Sequence, residues 1–300
     1  MKKIVSIITV NYNHSYLTEA MLASVAATNN YDPIEIIVVD NGSTYNPVPA
    51  WKQQYPNIQF IRSDINLGFA GGNNLGIRVA GGEYIFLANN DTEFTKGLIE
   101  SLAAILDTHK QVGVVSPKIL YWEDKSILQY AGYTPMNYFT GRNRCIGLQE
   151  PDTGQYDNKT GPTAYAHGAA MMVRNEAIKK AGLMAENFFL YYEELDWMER
   201  IRKADYEIWV NMQAIIYHKE SMSVGKKSAL KEYYMNRNRI LFVRRNSSGP
   251  TTFFFYVYYL AVVMPRNIFQ YIKQKDFAFI PLLFKAILWN FTNKVSSVKK

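Results

Sequence analysis

The sequence has little that could hold it together covalently or carry it across a membrane. Its 300 residues include one cysteine, Cys145, which excludes an intramolecular disulfide and is typical of a reducing compartment. The apolar run at residues 4–10 is short and lacks a small-residue cleavage pattern, so it predicts a buried strand and not a signal peptide. The apolar run at residues 253–264 is too short to span a bilayer, and we expect Pro265 and Arg266 to interrupt it.

Acidic residues are scarce in the last quarter of the chain. Residues 226–300 contain 14 Lys and Arg but 2 Asp and Glu, which gives them a net charge of +12. Residues 1–225 contain 19 Lys and Arg and 24 Asp and Glu, which gives them a net charge of −5. Aromatic residues crowd the same basic part, and this combination is attracted to an anionic membrane surface. We predict that residues 226–300 form a helical, membrane-associating region of interfacial helices. Packing against the rest of the chain, or against a second subunit in a homo-oligomer, is the alternative.

Short apolar segments alternate with helical patterns in the first half of the chain. Residues 4–10, 34–40, 58–62 and 84–88 predict buried strands, and residues 15–28 predict an amphipathic helix capped by Ser15. This alternation predicts an α/β fold with a mostly parallel sheet and flanking helices. We expect one domain over residues 1–225, with a first half of about 1–120, a long covering loop near 121–161, and a second half of about 160–225.

Polar residues follow two of the predicted strands directly. Asn89, Asn90 and Asp91 end the strand at 84–88, and Asp40 with Asn41 ends the strand at 34–40. Ligands of open α/β sheets bind at this edge, where an acid can bond a ribose hydroxyl or a base and a carboxylate can hold a cation that bridges phosphates. An Asx turn or a helix cap is the alternative for residues 89–91.

Glycines are concentrated at residues 66–76. A dinucleotide-binding dehydrogenase needs its glycines directly after the first strand, and this sequence has Asn11, Tyr12, Asn13 and His14 there. The later glycines would let backbone amides approach phosphate or sugar oxygens, although a tight structural loop explains them equally well.

Three acids open a predicted helix at residues 193–203. Helical spacing puts Glu194 on the same side as Trp197, and puts Asp196 on a solvated face. Periodicity therefore favours Glu194 as the inward carboxylate, and neighbouring acids raise one another's pKa, which suits a general base. Stabilisation of the helix N-terminus by acids is the alternative.

Residues 206–210 and 214–217 predict two further strands, and His218 follows the second of them. A lone histidine is more often a structural hydrogen-bonding residue than a metal ligand. If it does bind a cation, an imidazole in place of a carboxylate favours Mn²⁺ over Mg²⁺.

Seven segments occur in the order of a known family. They are VSIITVNYN, IIVVDNGS, NLGFAGGNN, FLANNDT, GAAMMVR, FFLYYEELDWMERIR and IYHKESMSVGK. The series resembles family 2 glycosyltransferases, which have the GT-A fold, and looks closest to rhamnosyltransferase-like members of bacterial surface-polysaccharide synthesis. The resemblance covers about the first 245 residues.

The resemblance implies an inverting glycosyltransferase on the cytoplasmic face of the cell membrane, with a divalent cation, Mn²⁺ or Mg²⁺. The donor would be a dTDP- or UDP-linked sugar and the acceptor a saccharide or lipid-linked saccharide. Asn89 stands where the family's metal motif has its first acid, and Glu194 stands where the family has an Asp base. The site residues expected on this basis are, for catalysis, Glu194 and Asp196; for metal, Asp91 and His218; for the acceptor, Glu193, Trp197 and Gly168; and for the donor, Val10, Asn11, Tyr12, Asp40, Asn41, Asn66, Gly71, Gly72, Asn73, Asn89 and Asn90.

Two other function classes are alternatives to a glycosyltransferase. A nucleotidyltransferase that makes nucleotide sugars has a glycine- and arginine-rich loop after the first strand, which this sequence lacks. A non-catalytic membrane- or nucleic-acid-binding module would explain the basic aromatic tail but not Asp40, Asp91 and Glu194. We therefore expect no nucleic-acid partner.

Overall fold

The structure is a computed structural model that describes residues 2–219 and 228–295. Residues 220–226 of the last family-like segment, and the predicted boundary at residue 225, lie outside the described residues. The strands are β1 Val5–Asn11, β2 Ile34–Asn41, β3 Gln59–Ser63, β4 Tyr84–Ala88, β5 Thr92–Phe94, β6 Val112–Tyr121, β7 Leu128–Tyr130, β8 Gly161–Pro162, β9 Ala170–Arg174 and β10 Glu207–His218. The α-helices are α1 Ser15–Thr28, α2 Val48–Gln54, α3 Gly68–Val79, α4 Leu98–Thr108, α5 Asn175–Ala181, α6 Glu193–Lys203, α7 Ala229–Asn246, α8 Gly249–Tyr258, α9 Met264–Lys273 and α10 Phe279–Thr292.

One mixed sheet organises the molecule, in the order β3-β2-β1-β4-β9-β6-β10-β5. The strands β3, β2, β1 and β4 are parallel, and β9 runs antiparallel between β4 and β6. The polar residues after β1, β2 and β4 therefore meet at one edge of the sheet. This is the edge at which the sequence predicted ligand binding.

Alternate residues of the central strands enter two cores. Ile8, Val39 and Leu87 belong to the core shared with α3, α5, α6 and α7. Ile7 and Val38 face the other core, with α1, α2 and α4. Both faces are covered, which explains why these strands are apolar throughout and not alternating.

Most predicted elements are confirmed, with two local exceptions. Strand β4 and helices α1 and α6 have the predicted bounds. The cap at Ser15 is wrong, because α1 already includes Ser15 and its N-cap residue is His14, without a side-chain capping bond. The two strands predicted between residues 206 and 217 form the single strand β10, since a register shift between Asn211 and Ile215 accommodates the break.

The last helices differ from the sequence expectation. Helix α8, a π-helical turn Tyr259–Val263 and helix α9 run on without a break. They form one 25-residue helix, Gly249–Lys273, long and apolar enough by length and composition to cross a membrane. The expectation that Pro265 interrupts the apolar run is wrong. The π turn shifts the hydrogen-bond pattern, with Met264 N–H bonded to Tyr259 O, directly before the residue that lacks an N–H.

Candidate active site

Three strand ends are joined by one polar network. Asn11 Nδ2 donates to Asp40 Oδ1 at 2.8 Å, and Asn90 Nδ2 donates to Thr18 Oγ1 at 3.1 Å. Thr18 in turn donates to Asn11 Oδ1 at 3.1 Å. The network fixes the side chains that the sequence predicted at this edge, and it places Asn11 and Asn90 together.

Asp40 is fully engaged by the protein itself. Its Oδ1 also accepts from Ser43 Oγ at 2.5 Å, and its Oδ2 is ion-paired with Arg62. The residue is buried, so it orients Asn11 and Arg62 and offers a ligand no free oxygen. Tyr12 is the accessible side chain here, with 39% of its surface exposed.

The glycines of α3 serve packing in this structure. A methyl group at Gly72 would lie 2.8 Å from Val10 Cγ1, and one at Gly76 would lie 2.4 Å from Ile8 Cγ2. The glycines thus let α3 lie directly on β1. Gly71 and Asn73 are also buried, and Asn73 Nδ2 donates to Phe69 O at 2.9 Å. At these positions the glycines lie in a helix and not in a tight loop, and they serve its close packing.

Asn41 and Asn66 bind each other at the start of α3. Asn41 Nδ2 donates to Asn66 Oδ1 at 3.2 Å, and Asn66 Oδ1 also accepts from Gly68 N at 2.8 Å. Gly68 has φ +73°, and a methyl group there would meet Phe189 O. These amides hold the glycine segment against the β2 edge.

Asp91 and His218 lie side by side, both buried, with 3.1 Å between Oδ1 and Nε2. Gln129 Oε1 lies 2.8 Å from His218 Nδ1. An amide oxygen accepts, so Nδ1 carries a proton, and Nε2 is the ring nitrogen that faces Asp91. Gln129 was not predicted, and its place on the short strand β7 gave no sequence signal.

The pair fits part of a cation site. Within residues 2–219 and 228–295, Asp91 Oδ1 is a buried oxygen without a hydrogen-bond partner, which suits it to a metal. Burial would raise the pKa of Asp91, but His218 and Lys219 bring it below its usual value, so the carboxylate is charged. No group of three His, Cys, Asp or Glu that could hold a metal occurs in this part of the chain. A bound cation would therefore need further oxygens from a ligand.

Glu194 reaches the same edge from the other half of the chain. A methyl group at Gly168 would lie 3.8 Å from Glu194 Cδ, and the next residue, Ala169, accepts the backbone N–H of Asn89 at 2.9 Å. Burial raises the pKa of Glu194 to about 7, although backbone N–H groups at the start of α6 oppose the shift. Burial and Glu194 also raise the pKa of Glu193 well above its usual range. The site thus holds a carboxyl group that can exchange a proton near neutral pH.

Asp196 and Trp197 lie elsewhere. The solvated face predicted for Asp196 is wrong, because α7 packs there and leaves it 1% exposed. Its oxygens bind Arg245 at 2.7 Å and Arg200 at 3.0 Å, and these guanidinium groups lower its pKa although burial would raise it. Trp197 is completely buried, and its Nε1 donates to Gly182 O at 2.7 Å. Both side chains are thus buried and bonded to other parts of the protein.

His167 is a second histidine that the sequence did not single out. Its ring lies 6.2 Å from the His218 ring and is parallel to the Tyr133 ring. Nδ1 accepts from Ala169 N at 3.1 Å, and burial together with His218 lowers the pKa of His167 to about 3. A neutral imidazole and a phenol therefore line the site between Glu194 and Asp91.

Comparison with known proteins agrees with this geometry. The family model described as "Glycosyl transferase family 2" matches residues 6–182. The low-salt glycan biosynthesis hexosyltransferase Agl10 of Haloferax volcanii is 29% identical over 79% of this chain and 74% of its own. The N-acetylglucosaminyl-diphospho-decaprenol L-rhamnosyltransferase of Mycobacterium tuberculosis is 24% identical over 83% and 87%.

Solved structures share the fold. The S. aureus TarS 1–349 structure covers 98% of this chain and 82% of its own, with a TM-score of 0.61 and 15% identity. The mannosyltransferase PcManGT of Pyrobaculum calidifontis, in complex with GDP-Man and Mn²⁺, covers 98% and 88%, with a TM-score of 0.59 and 13% identity. The GT-A fold expected from the sequence is confirmed.

Proposed function

The chain belongs to glycosyl transferase family 2, and from this premise we propose that it transfers a sugar from a nucleotide-diphosphate donor, with inversion, to a membrane-borne saccharide acceptor. One observation carries the proposal. Glu194, whose pKa is about 7, lies beside the strand end that contains Asn89 and Asp91. A general base and a diphosphate-binding carboxylate on one edge are what a single displacement at an anomeric carbon needs.

The donor would lie along the ends of β1, β2 and β4. The exposed Tyr12 ring would contact the nucleoside, beside Asn11, which is bonded to Asp40. Asp91 and His218 Nε2 would hold a divalent cation on the diphosphate, and the cation would neutralise charge on the leaving group. Complexes of related folds support this choice of ligands: TarS 1–349 has been solved with UDP-GlcNAc, and PcManGT with GDP-Man and Mn²⁺.

The chemical step requires one base. Glu194 takes the proton of an acceptor hydroxyl, whose oxygen attacks the anomeric carbon from the side opposite the diphosphate. The bond from that carbon to the diphosphate oxygen breaks, and the configuration inverts. The ion pair of Asp196 with Arg245 supports Glu194, and not Asp196, as the base.

We further propose that the acceptor is lipid-linked and that the enzyme works at the cytoplasmic face of a membrane. Helices α8 to α10 bury one side and expose a second, apolar side, which we call the apolar face. It consists of exposed Phe253, Phe254, Val257, Val262, Phe269, Ile272, Phe277, Phe284, Leu288 and Phe291. Patches of this kind mark membrane or protein contacts, and the positive charge of the last quarter favours an anionic bilayer.

The long helix Gly249–Lys273 is tied to α7 along its buried side. Tyr259 OH donates to Asn236 Oδ1 at 2.7 Å, and Asn267 Nδ2 donates to the same oxygen at 3.1 Å. Tyr271 OH is bonded to Glu232. Crossing a bilayer would break these bonds to a helix of the catalytic core, so we propose that the long helix lies in the interface.

A panel of nucleotide sugars tests the proposed function. Release of nucleoside diphosphate from dTDP- and UDP-linked sugars should depend on added Mn²⁺ or Mg²⁺ and should stop in EDTA. Release of pyrophosphate from a nucleoside triphosphate and a sugar phosphate would instead indicate a nucleotidyltransferase. If no sugar nucleotide is bound or turned over, the proposal fails.

A further inference from the structure

The segment that leads into α6 has an unusual backbone. Phe189 has φ +66° and ψ −55°, and Leu190 N donates to Phe188 O at 2.8 Å, which forms a γ-turn. Tyr191 and Tyr192 follow with φ +69° and +73°. Bulky residues disfavour this region, so surrounding contacts must hold the turn. Tyr192 is the N-cap residue of α6, and the turn therefore sets where α6 begins.

One side chain of α7 binds the turn at three points. Asn238 Nδ2 lies 2.9 Å from Phe188 O, 2.7 Å from Leu190 O and 2.8 Å from Tyr191 O. Asn238 is completely buried, so no water can replace these donors without rearrangement. Carbonyl groups left without donors at this depth would be unfavourable.

Arg237 fixes the orientation of that amide. Its Nε donates to Asn238 Oδ1 at 2.7 Å, which turns the amide nitrogen towards the turn. Its Nη2 donates to Phe188 O at 2.6 Å. The guanidinium lies 4.5 Å from the ring centres of both Tyr234 and Trp289, and is thus held on both sides.

The turn connects both halves of the site. Phe189 O accepts the N–H of Phe69 in the glycine segment at 2.7 Å, and Glu194 follows the turn by two residues. Moving the turn would move the Glu194 carboxylate away from Gly168, which lines the predicted acceptor site.

We propose that Asn238 is a positioning residue for Glu194: its two amide N–H donors, shared among three carbonyl oxygens, hold the turn Phe189–Tyr192 in the conformation that aims the base at the acceptor. The inference rests on the proposed role of Glu194 as base. Asn238 itself touches neither substrate. Its effect on the reaction passes through the backbone of the turn.

Two substitutions separate hydrogen bonding from shape. Asn238→Ala removes the amide, and Asn238→Asp keeps its shape and the acceptor for Arg237 but removes the N–H donors. Both variants should lower kcat about 100-fold, the effect expected when a catalytic group is misplaced by about 1 Å, with little change in the donor KM. Asn236→Ala is the matched control, since Asn236 is a buried asparagine of the same helix that bonds Tyr259 and Asn267; kcat should be retained.

Kinetics are measured per folded molecule, with the folded fraction taken from circular dichroism and from nucleotide binding. A kcat loss in Asn238→Ala that is absent in Asn238→Asp would show that shape matters and would overturn the proposal. Lower thermal stability with unchanged kcat would also overturn it, because that is the signature of a purely structural residue.

A double-mutant cycle with Glu194→Gln distinguishes this proposal from the function on which it rests. If Asn238 acts through the base, Asn238→Ala should reduce kcat little further in the Glu194→Gln background. Additive losses would overturn the positioning role alone. Full activity of Glu194→Gln would instead overturn the assignment of the base.

Discussion

Two carboxyl groups of the same helix turn have opposite surroundings. Glu194 is half-buried, and burial raises its pKa to about 7, whereas Arg245 and Arg200 lower the pKa of Asp196. Environments that separate the pKa values of nearby acids are how a protein assigns them different roles. This contrast supports the proposal that Glu194 is the proton acceptor, whereas Asp196 bonds α6 to Arg245 of α7.

Replacing Glu194 tests this assignment directly. Glu194→Gln should lower kcat about 10²- to 10⁴-fold, the usual contribution of a general base, while the donor dissociation constant measured by calorimetry changes little. Glu176→Gln is the matched control, because Glu176 is an exposed acid in the first turn of α5. Loss of donor binding in Glu194→Gln would mean that the residue is structural.

The pH dependence of the wild-type reaction is a second test of the role of Glu194. The base must be ionised to accept a proton, so kcat should rise with pH through about 7, where Glu194 titrates. The residual activity of Glu194→Gln should not show this rise. The same rise of kcat with pH in the variant would assign the titration to another group.

For individual elements, sequence periodicity predicted where a helix lies in the chain better than it predicted which of its faces is buried. The spacing within α6 placed Glu194 correctly on the partly buried side, but it assigned Asp196 to solvent. The error comes from α7, which begins about 30 residues later and covers the face of Asp196. A periodicity within one helix has no information on what packs against its polar side.

The contact between α3 and β1 gives a stability prediction. Gly76→Ala places a methyl group 2.4 Å from Ile8 Cγ2, and such overpacking should lower the free energy of unfolding by about 1–2 kcal/mol. Alanine would otherwise be favoured over glycine in a helix. The measurement is urea denaturation.

Gly249→Ala is the control for this substitution. A methyl group at Gly249 would contact nothing within 4 Å, so stability should be unchanged or slightly higher. Equal or greater stability of Gly76→Ala would contradict the close packing of α3 on β1.

For the whole molecule, the sequence predicted the α/β class, the common sheet edge and the family. It could not show that α7 belongs to the catalytic core, although Ile240, Leu241, Phe242 and Val243 are completely buried. The charge division after Gly225 suggested one separate region, yet α7 contributes Arg245 and Asn238 to the base-bearing segment. A charge count describes consecutive residues, whereas a hydrophobic core contains residues that are distant in the sequence.

Membrane binding is predicted at this scale. Replacing Phe253, Phe254 and Phe269 by Ser should weaken binding to anionic vesicles at least 100-fold, since burying one phenylalanine contributes about 1.5–3 kcal/mol. Phe269 is the most exposed of these three residues, with 67% of its surface accessible. The measurement is vesicle co-sedimentation.

Tyr45→Ser is the control, because Tyr45 is an exposed aromatic residue outside the C-terminal helices. Vesicle binding of the triple variant equal to that of the wild type would exclude the apolar face as the contact. Resistance of the wild-type protein to alkaline extraction would indicate a crossing helix instead.

Helix α7 is bonded on one side to the turn that precedes Glu194 and on the other to the helices that expose the apolar face. If that face rests on a bilayer, the height of the Glu194 carboxylate above the lipid surface is fixed by one rigid helix. The enzyme would then select its acceptor by the distance between the acceptor hydroxyl and the lipid surface. Only a hydroxyl that a lipid carrier holds at that height would be glycosylated, and a shorter or longer glycan would not react.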